Sequence, residues 1–175
     1  MDIVKIFDAL YFATMKHSTQ KRKNKAQSPY INHPIEVAHL LLTVGKIEDT
    51  NTIIAALLHD TLEDTQTTSE EIQEKFGADV LDIVQQVTDD KTLPKPERKR
   101  LQIVHAPTLR KEAKLVKLGD KISNVQSIFD DPPFFWDNQR RKEYIIWANA
   151  VINGLRGTNE ALEKMFDTIC QKTIE

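Results

Sequence analysis

The sequence predicts an all-α fold, a compact helical bundle of the single-domain kind with roughly eight to ten helices, given connections of ordinary length. Three observations lead there. Only five glycines occur in 175 residues. No stretch keeps up the strict apolar–polar alternation of a half-buried strand. Apolar residues instead recur every three or four positions, the period of a helix with one face on a core.

The elements follow in order. In "MDIVKIFDALYFATMKH", Ile3, Ile6, Phe7, Leu10 and Ala13 or Thr14 make one apolar face. The basic run "HSTQKRKNKAQSPY" reads as a loop. Pro34 stands where a first helical turn tolerates it, and "IEVAHLLLTVG" runs to Gly45 as a stop. A third helix is expected from "EDTN" without interruption to about Asp64. Thr68 and Glu71 match a capping box before "EEIQEKF", closed by Gly77. "ADVLDIVQQV" puts Val80, Leu81, Val84 and Val87 on one side. "TDDKTLPKPERKR" is a loop that enters a helix near Pro96. "KEAKLVKLGDKISNVQSI" is a long helix, ended by "DDPPFFWDN", whose aromatic residues are expected to pack over a helix end. "QRRKEYIIWANAVINGL" and "TNEALEKMFDTICQ" are the last two helices. Residues 1–175 are expected to form one domain, without repeats or linker.

Composition excludes several functions. A formal net charge of −2 gives no general pull toward nucleic acid or anionic membrane, and no nucleic-acid-binding motif is present. No apolar run is long enough to span a bilayer. The N-terminus lacks the basic start, apolar stretch and cleavage site of a signal peptide. Cys170 is the only cysteine, which precludes an internal disulfide and fits a reducing, cytoplasmic setting.

"AALLHDTLEDT" carries the chemistry. On a helix at 100° per residue, His59, Asp60, Glu63 and Asp64 fall on one side, while Leu57 and Leu58 point elsewhere. Three carboxylates on one wall of an apolar segment need positive charge, because an unpaired buried carboxylate costs several kcal/mol or neutralises. A divalent cation supplies it. His59 and Asp60 offer one nitrogen and one oxygen; His33, at the start of a helix, and Asp120, in an otherwise apolar and basic helix, are the candidates to complete the set. Two imidazoles and two carboxylates suit Mn²⁺, Fe²⁺ or Zn²⁺. Such an ion makes hydroxide available near neutral pH, and Glu63 and Asp64 could orient the water or shuttle its proton. Lys91, Lys95, Arg98, Lys99 and Arg100 cluster within ten residues, which suits a small polyanion; Lys95 and Arg100 are taken as substrate-binding. His17, His39 and His105 have no companion carboxylates and read as structural or exposed.

The order H…HD…D on helices resembles the HD superfamily of metal-dependent phosphohydrolases. "SPYINHPIEVA", "AALLHDTLEDT", "FGADVLDIVQQVTDDKTLP", "ERKR" and "AKLVKLGDKISNV" resemble the hydrolase domain of RelA/SpoT-type alarmone enzymes, over residues 5 to 165 or so. "VTDDKTLP" and "GLRGTN" are most similar to the small stand-alone alarmone hydrolases. The resemblance implies release of the 3′-pyrophosphate of ppGpp or pppGpp, with manganese held by His33, His59, Asp60 and Asp120 and water activated by Glu63 and Asp64. It implies that Arg22 and Lys23 lie near the guanine, that Asn124 contacts the nucleoside, and that Tyr144 is an aromatic near the substrate. Synthesis of the alarmone is not expected. Where this chain has Gly119 relatives often carry Ala, and where it has Ser123 a bulkier residue. Two other readings keep the same residues: an NADPH 2′-phosphatase or other HD-type nucleotide phosphohydrolase, and a non-catalytic alarmone-binding sensor.

Overall fold

A computed structural model describes residues 1–174. Among them lie ten α-helices and one 3-10 turn; the only extended pairings are two isolated bridges, Lys21 with Pro29 and Asn24 with Pro133. Among the described residues, no helix is long and apolar enough to cross a membrane.

Helix α1 (Ile3–Lys16) starts at Asp2, whose side chain accepts from the Lys5 amide. The face it buries matches the one the periodicity predicts only in part: Ala13 is fully buried and Ile6 and Leu10 pack half-buried against the core. Ala9 and Ala13 are fully buried, whereas Ile3 and Phe7 are largely exposed together with Val4 and Tyr11. The helix is apolar nearly all round, so spacing alone does not say which stripe meets the core, and the small residues win because they let α1 approach α3 (Thr50–Leu58) closely. Helix α2 (Asn32–Thr43) carries Pro34 in its first turn.

The uninterrupted helix expected up to Asp64 is broken. α3 ends at Leu58, and a one-turn helix α4 (Thr61–Asp64) begins after His59 and Asp60. The cause is local. His59 Nδ1 donates to the Ala56 carbonyl (2.8 Å) and Thr61 Oγ1 to the Leu58 carbonyl (2.7 Å). Side chains thus take acceptors that the helical ladder would otherwise use.

Helix α5 (Ser69–Phe76) has the full capping box of Thr68 and Glu71. Gly77, at φ +93°, turns the chain into α6 (Ala78–Val87), whose Val80, Leu81, Val84 and Val87 are all buried. Helix α7 (Lys95–His105) opens with Pro96 in its first turn. Helix α8 (Lys111–Asp130) is the central strut, packed by α2, α3, α6, α9 (Asn138–Asn153) and α10 (Glu160–Cys170). Leu41, Ile53, Leu58, Leu118, Ile122 and Phe166 are among the fully buried side chains, each contributing about 1.5–3 kcal/mol through removal from water.

The aromatic segment after α8 also departs from expectation in part. Phe134 and Phe135 are mostly exposed; Trp136 is the member that turns inward. Phe135 and Trp136 lie against Arg140 at the start of α9, a helix end as expected, and the segment is also tied to the basic loop. The Phe134 amide donates to the Lys23 carbonyl (3.1 Å), and the buried Asn24 donates to Asp131.

Candidate active site

The break between α3 and α4 brings His59 and Asp60 beside the first turn of α2 and the middle of α8. His33, His59 and Asp60 each offer a ligand atom within 4.8 Å of the others. Asp120 Oδ1 lies 3.3 Å from His33 Nε2 and 4.0 Å from His59 Nε2. Asp60 Oδ2 lies 3.1 Å from His59 Nε2 and 3.7 Å from His33 Nε2. Of the four residues proposed from sequence as ligands, His33, His59 and Asp60 form one tight group, and Asp120 borders it on the side of the two imidazoles.

Hydrogen bonding sets the imidazoles. A carbonyl only accepts, so His59 Nδ1 carries its proton toward Ala56 and leaves Nε2 to face the carboxylates. That nitrogen is buried and has no well-aligned hydrogen-bond partner, despite its closeness to Asp60. His33 Nδ1 is engaged by the Ser123 hydroxyl at 2.9 Å, with Nε2 again facing the carboxylates. Two ring nitrogens and two carboxylates aimed at one another demand a cation between them. Burial opposes a charge on His59, but Asp60 and Asp120 outweigh it and raise its pKa to about 9. Burial opposes ionisation of Asp60, yet the two imidazoles hold it below the ordinary carboxylate range. Asp120, likewise desolvated, is held well below that range by Lys121 and His33. The donor set fits a divalent metal of the nitrogen- and oxygen-seeking kind.

Tyr30, not singled out from the sequence, donates its hydroxyl to Asp60 Oδ2 at 2.7 Å. Burial and the Asp60 charge raise its pKa far above that of an ordinary tyrosine, so it remains a donor. It stands one turn before His33 in "SPYINHP", a spacing that could have marked it.

Glu63 and Asp64, on α4, line the same cavity of about 180 Å³ as His33, His59, Asp60 and Asp120. Glu63 Oε2 accepts from the Asp89 amide at 3.1 Å, and Oε1 lies 3.5 Å from Lys91 Nζ and 3.7 Å from Arg98. Burial raises the Glu63 pKa above the ordinary glutamate value. Asp64 forms an ion pair with Lys91. Lys117 is buried behind them; it donates to the Val87 carbonyl at 3.0 Å, and burial lowers its pKa.

A wider cavity of about 440 Å³ adjoins the first, with Tyr30, His33, Asp64 and Asn124 lining both. Arg22, Lys23 and Tyr144 border it, with Trp136. Asn124 donates to Asp120, and burial pushes Tyr144 up to about 12. A third cavity, of about 370 Å³, holds Lys95, Arg98, Lys99 and Arg140 beside Trp136, Tyr144 and Trp147. Arg100 is placed elsewhere: it points to solvent and pairs with Glu97 at 2.7 Å. Arg140 and Trp136 were not anticipated, because only the fold brings α9 and the segment before it against α7. Of the other histidines, His17 is buried and bonded to Gln20, while His39 is exposed. Cys170 stands on α10, away from all three cavities.

Comparison with known proteins shows the family. A family model described as "HD domain" matches residues 9–148. Guanosine-3′,5′-bis(diphosphate) 3′-pyrophosphohydrolase MESH1 of Xenopus tropicalis is 54% identical over 166 residues, covering 95% of this chain and 93% of that protein. The Danio rerio protein of the same name is 52% identical, covering 91% of this chain and 88% of its own length. A solved structure described as a metazoan ortholog of SpoT that hydrolyzes ppGpp superposes with a TM-score of 0.92 at 44% identity, covering 94% of this chain and 93% of that one. Family model, sequence relatives and solved structure agree over most of the length, and the chain belongs to the HD-domain family, in the group of the MESH1 proteins.

Proposed function

We propose that this chain is a manganese-dependent hydrolase that removes the 3′-pyrophosphate of guanosine 3′,5′-bis(diphosphate), ppGpp, and of pppGpp, giving GDP or GTP and pyrophosphate. The observation that carries the reading is the tight group of His33, His59 and Asp60, bordered by Asp120, with Glu63 and Asp64 opening off the same cavity. The names of relatives at 44–54% identity support the substrate. The single cysteine accords with action in the cytoplasm.

His33, His59, Asp60 and Asp120 would hold the ion. Once bound, it supplies positive charge to a phosphate oxygen and lowers the pKa of a water beside it. Glu63 takes the water's proton at a carboxylate oxygen, and Asp64, held by Lys91, orients the water. Attack at the phosphorus bonded to the 3′ oxygen breaks that P–O bond; the 3′ oxygen gains a proton and pyrophosphate leaves. Lys95, with Arg98, Lys99 and Arg140, neutralises charge on the phosphates. Arg22, Lys23, Asn124 and Tyr144, around the wide cavity, take the nucleoside.

Product analysis by ion-exchange chromatography tests this. The protein is incubated with Mn²⁺ and, separately, ppGpp, pppGpp or NADPH, each with an EDTA control. GDP plus pyrophosphate, abolished by EDTA, is expected. Untouched ppGpp with loss of the NADPH 2′-phosphate would move the substrate to that nucleotide, and no turnover despite bound metal would make the site a sensor.

A further inference from the structure

We propose that Ser123 and Glu36 form a positioning relay that fixes His33 in the tautomer whose Nε2 is bare and directed at the metal position. The inference rests on the reading of His33 as a ligand and adds two residues to it.

The geometry leaves little freedom. Ser123 is fully buried on α8, one turn after Asp120. Its Oγ lies 2.8 Å from Glu36 Oε2 and 2.9 Å from His33 Nδ1. A hydroxyl has one proton, and a carboxylate only accepts. The Ser123 proton therefore goes to Glu36, and a lone pair of Oγ is left for His33. Nδ1 must then carry hydrogen, since two lone pairs would otherwise meet at 2.9 Å. Nε2 is left to face the carboxylates, 3.3 Å from Asp120 Oδ1 and 3.7 Å from Asp60 Oδ2, and is the nitrogen free to meet an ion there.

The relay runs from α2 to α8 and back. α2 supplies both ends, His33 and, one turn on, the half-buried Glu36, while α8 supplies the middle together with Asp120. Anchoring the imidazole through a carboxylate raises its basicity as a ligand. His59 has only the neutral Ala56 carbonyl in the equivalent place. The two imidazoles are therefore supported unequally, and His33 is the stronger donor.

The test is calorimetric titration of the metal-free chain with Mn²⁺, alongside ¹⁵N–¹H correlation spectra of the histidine rings, for the wild type, Ser123→Ala, Glu36→Gln and His33→Ala. The wild-type spectrum should show His33 protonated at Nδ1. Ser123→Ala should bind Mn²⁺ about 10- to 100-fold more weakly. Glu36→Gln spares the packing, because residue 36 is half-buried; its amide can donate to Ser123, turn the hydroxyl toward Nδ1 and shift His33 to the Nε2–H form, again weakening Mn²⁺. Wild-type affinity in either variant, or a wild-type His33 without a proton at Nδ1, overturns the relay. If His33→Ala loses Mn²⁺ while the other two variants do not, the relay alone falls. If His33→Ala binds Mn²⁺ as the wild type does, the ligand set falls with it.

Discussion

Asp120 Oδ1 lies 3.3 Å from His33 Nε2, although one residue is in the middle of α8 and the other in the first turn of α2. Close packing of the two helices makes this possible. Gly119 faces Val37 and Leu41 of α2 so tightly that a Cβ there would come within 3.1 Å of Val37 Cγ1. The pair thus depends on how α2 seats on α8, and a cation between the side chains should tie the helices together.

Metal removal should therefore lower stability as well as activity. An ion present at a hundredfold excess over its Kd and bound only by the folded state adds about 2.7 kcal/mol. For a chain of 175 residues that amounts to a fall of about 5–10 °C in Tm when EDTA is added. In Asp120→Ala, calorimetric scans with and without EDTA should coincide. A chelator-sensitive Tm in that variant would show that Asp120 is not needed to hold the ion.

Glu63→Gln should retain Mn²⁺ and lose about 100- to 10,000-fold in kcat. The pH dependence has a definite sign. A base must be ionised to act, and burial raises Glu63 above its ordinary value of 4.5. The acid limb of kcat/KM should therefore lie above 4.5 and vanish in the variant. For folding the same shift works the other way. The folded chain holds the Glu63 proton more tightly than the unfolded chain, so this contribution is full below the unfolded pKa and is lost as pH rises through the folded one. Glu63→Gln should accordingly have a higher metal-free Tm than the wild type at neutral pH. A residual rate within tenfold of wild type would remove Glu63 from the role of base.

Tyr30→Phe removes the hydroxyl that bonds Asp60 at 2.7 Å and keeps the ring. Mn²⁺ affinity should fall by about tenfold, as for other groups that orient a ligand. An unchanged Kd in titration would reduce Tyr30 to packing.

Lys95→Ala should raise KM for ppGpp about tenfold or more, in keeping with the loss of a charge-assisted contact. Arg100→Ala should raise it less, since Arg100 is turned toward Glu97 and solvent. Burial and the nearby Arg140, Lys23 and Arg98 lower the Lys95 pKa below 10.5. Lys95 therefore loses its charge at lower pH than an ordinary lysine, and KM should rise with pH in the alkaline range, more in the wild type than in Lys95→Ala. Equal KM values for wild type and Lys95→Ala would exclude the third cavity from phosphate binding.

The parts legible in the sequence were those set by local chemistry. The Thr68–Glu71 capping box, Pro96 in the first turn of α7 and the buried side of α6 all depend on residues within a few positions of one another. That His33, His59, Asp60 and Asp120 would gather was legible because charge in an apolar segment needs a reason. The break at His59 was not, because its cause is competition between side chains and the helical ladder for two carbonyls. The exposed Ile3 and Phe7 were misplaced since α1 is apolar on both sides. Spacing within a basic cluster could not separate Lys95 from Arg100, which needs the position of α9. Glu36 and Ser123 stand one turn after His33 and Asp120, but nothing local pairs them with each other; only the approach of α8 to α2 joins them to His33.

The most direct test of the central claim is hydrolysis of ppGpp in ¹⁸O-water with Mn²⁺, read by ³¹P NMR and mass spectrometry. Attack of water on the phosphorus next to the 3′ oxygen predicts one ¹⁸O in the released pyrophosphate and none in the GDP. Label in the nucleoside hydroxyl, or orthophosphate as the labelled product, would contradict the account.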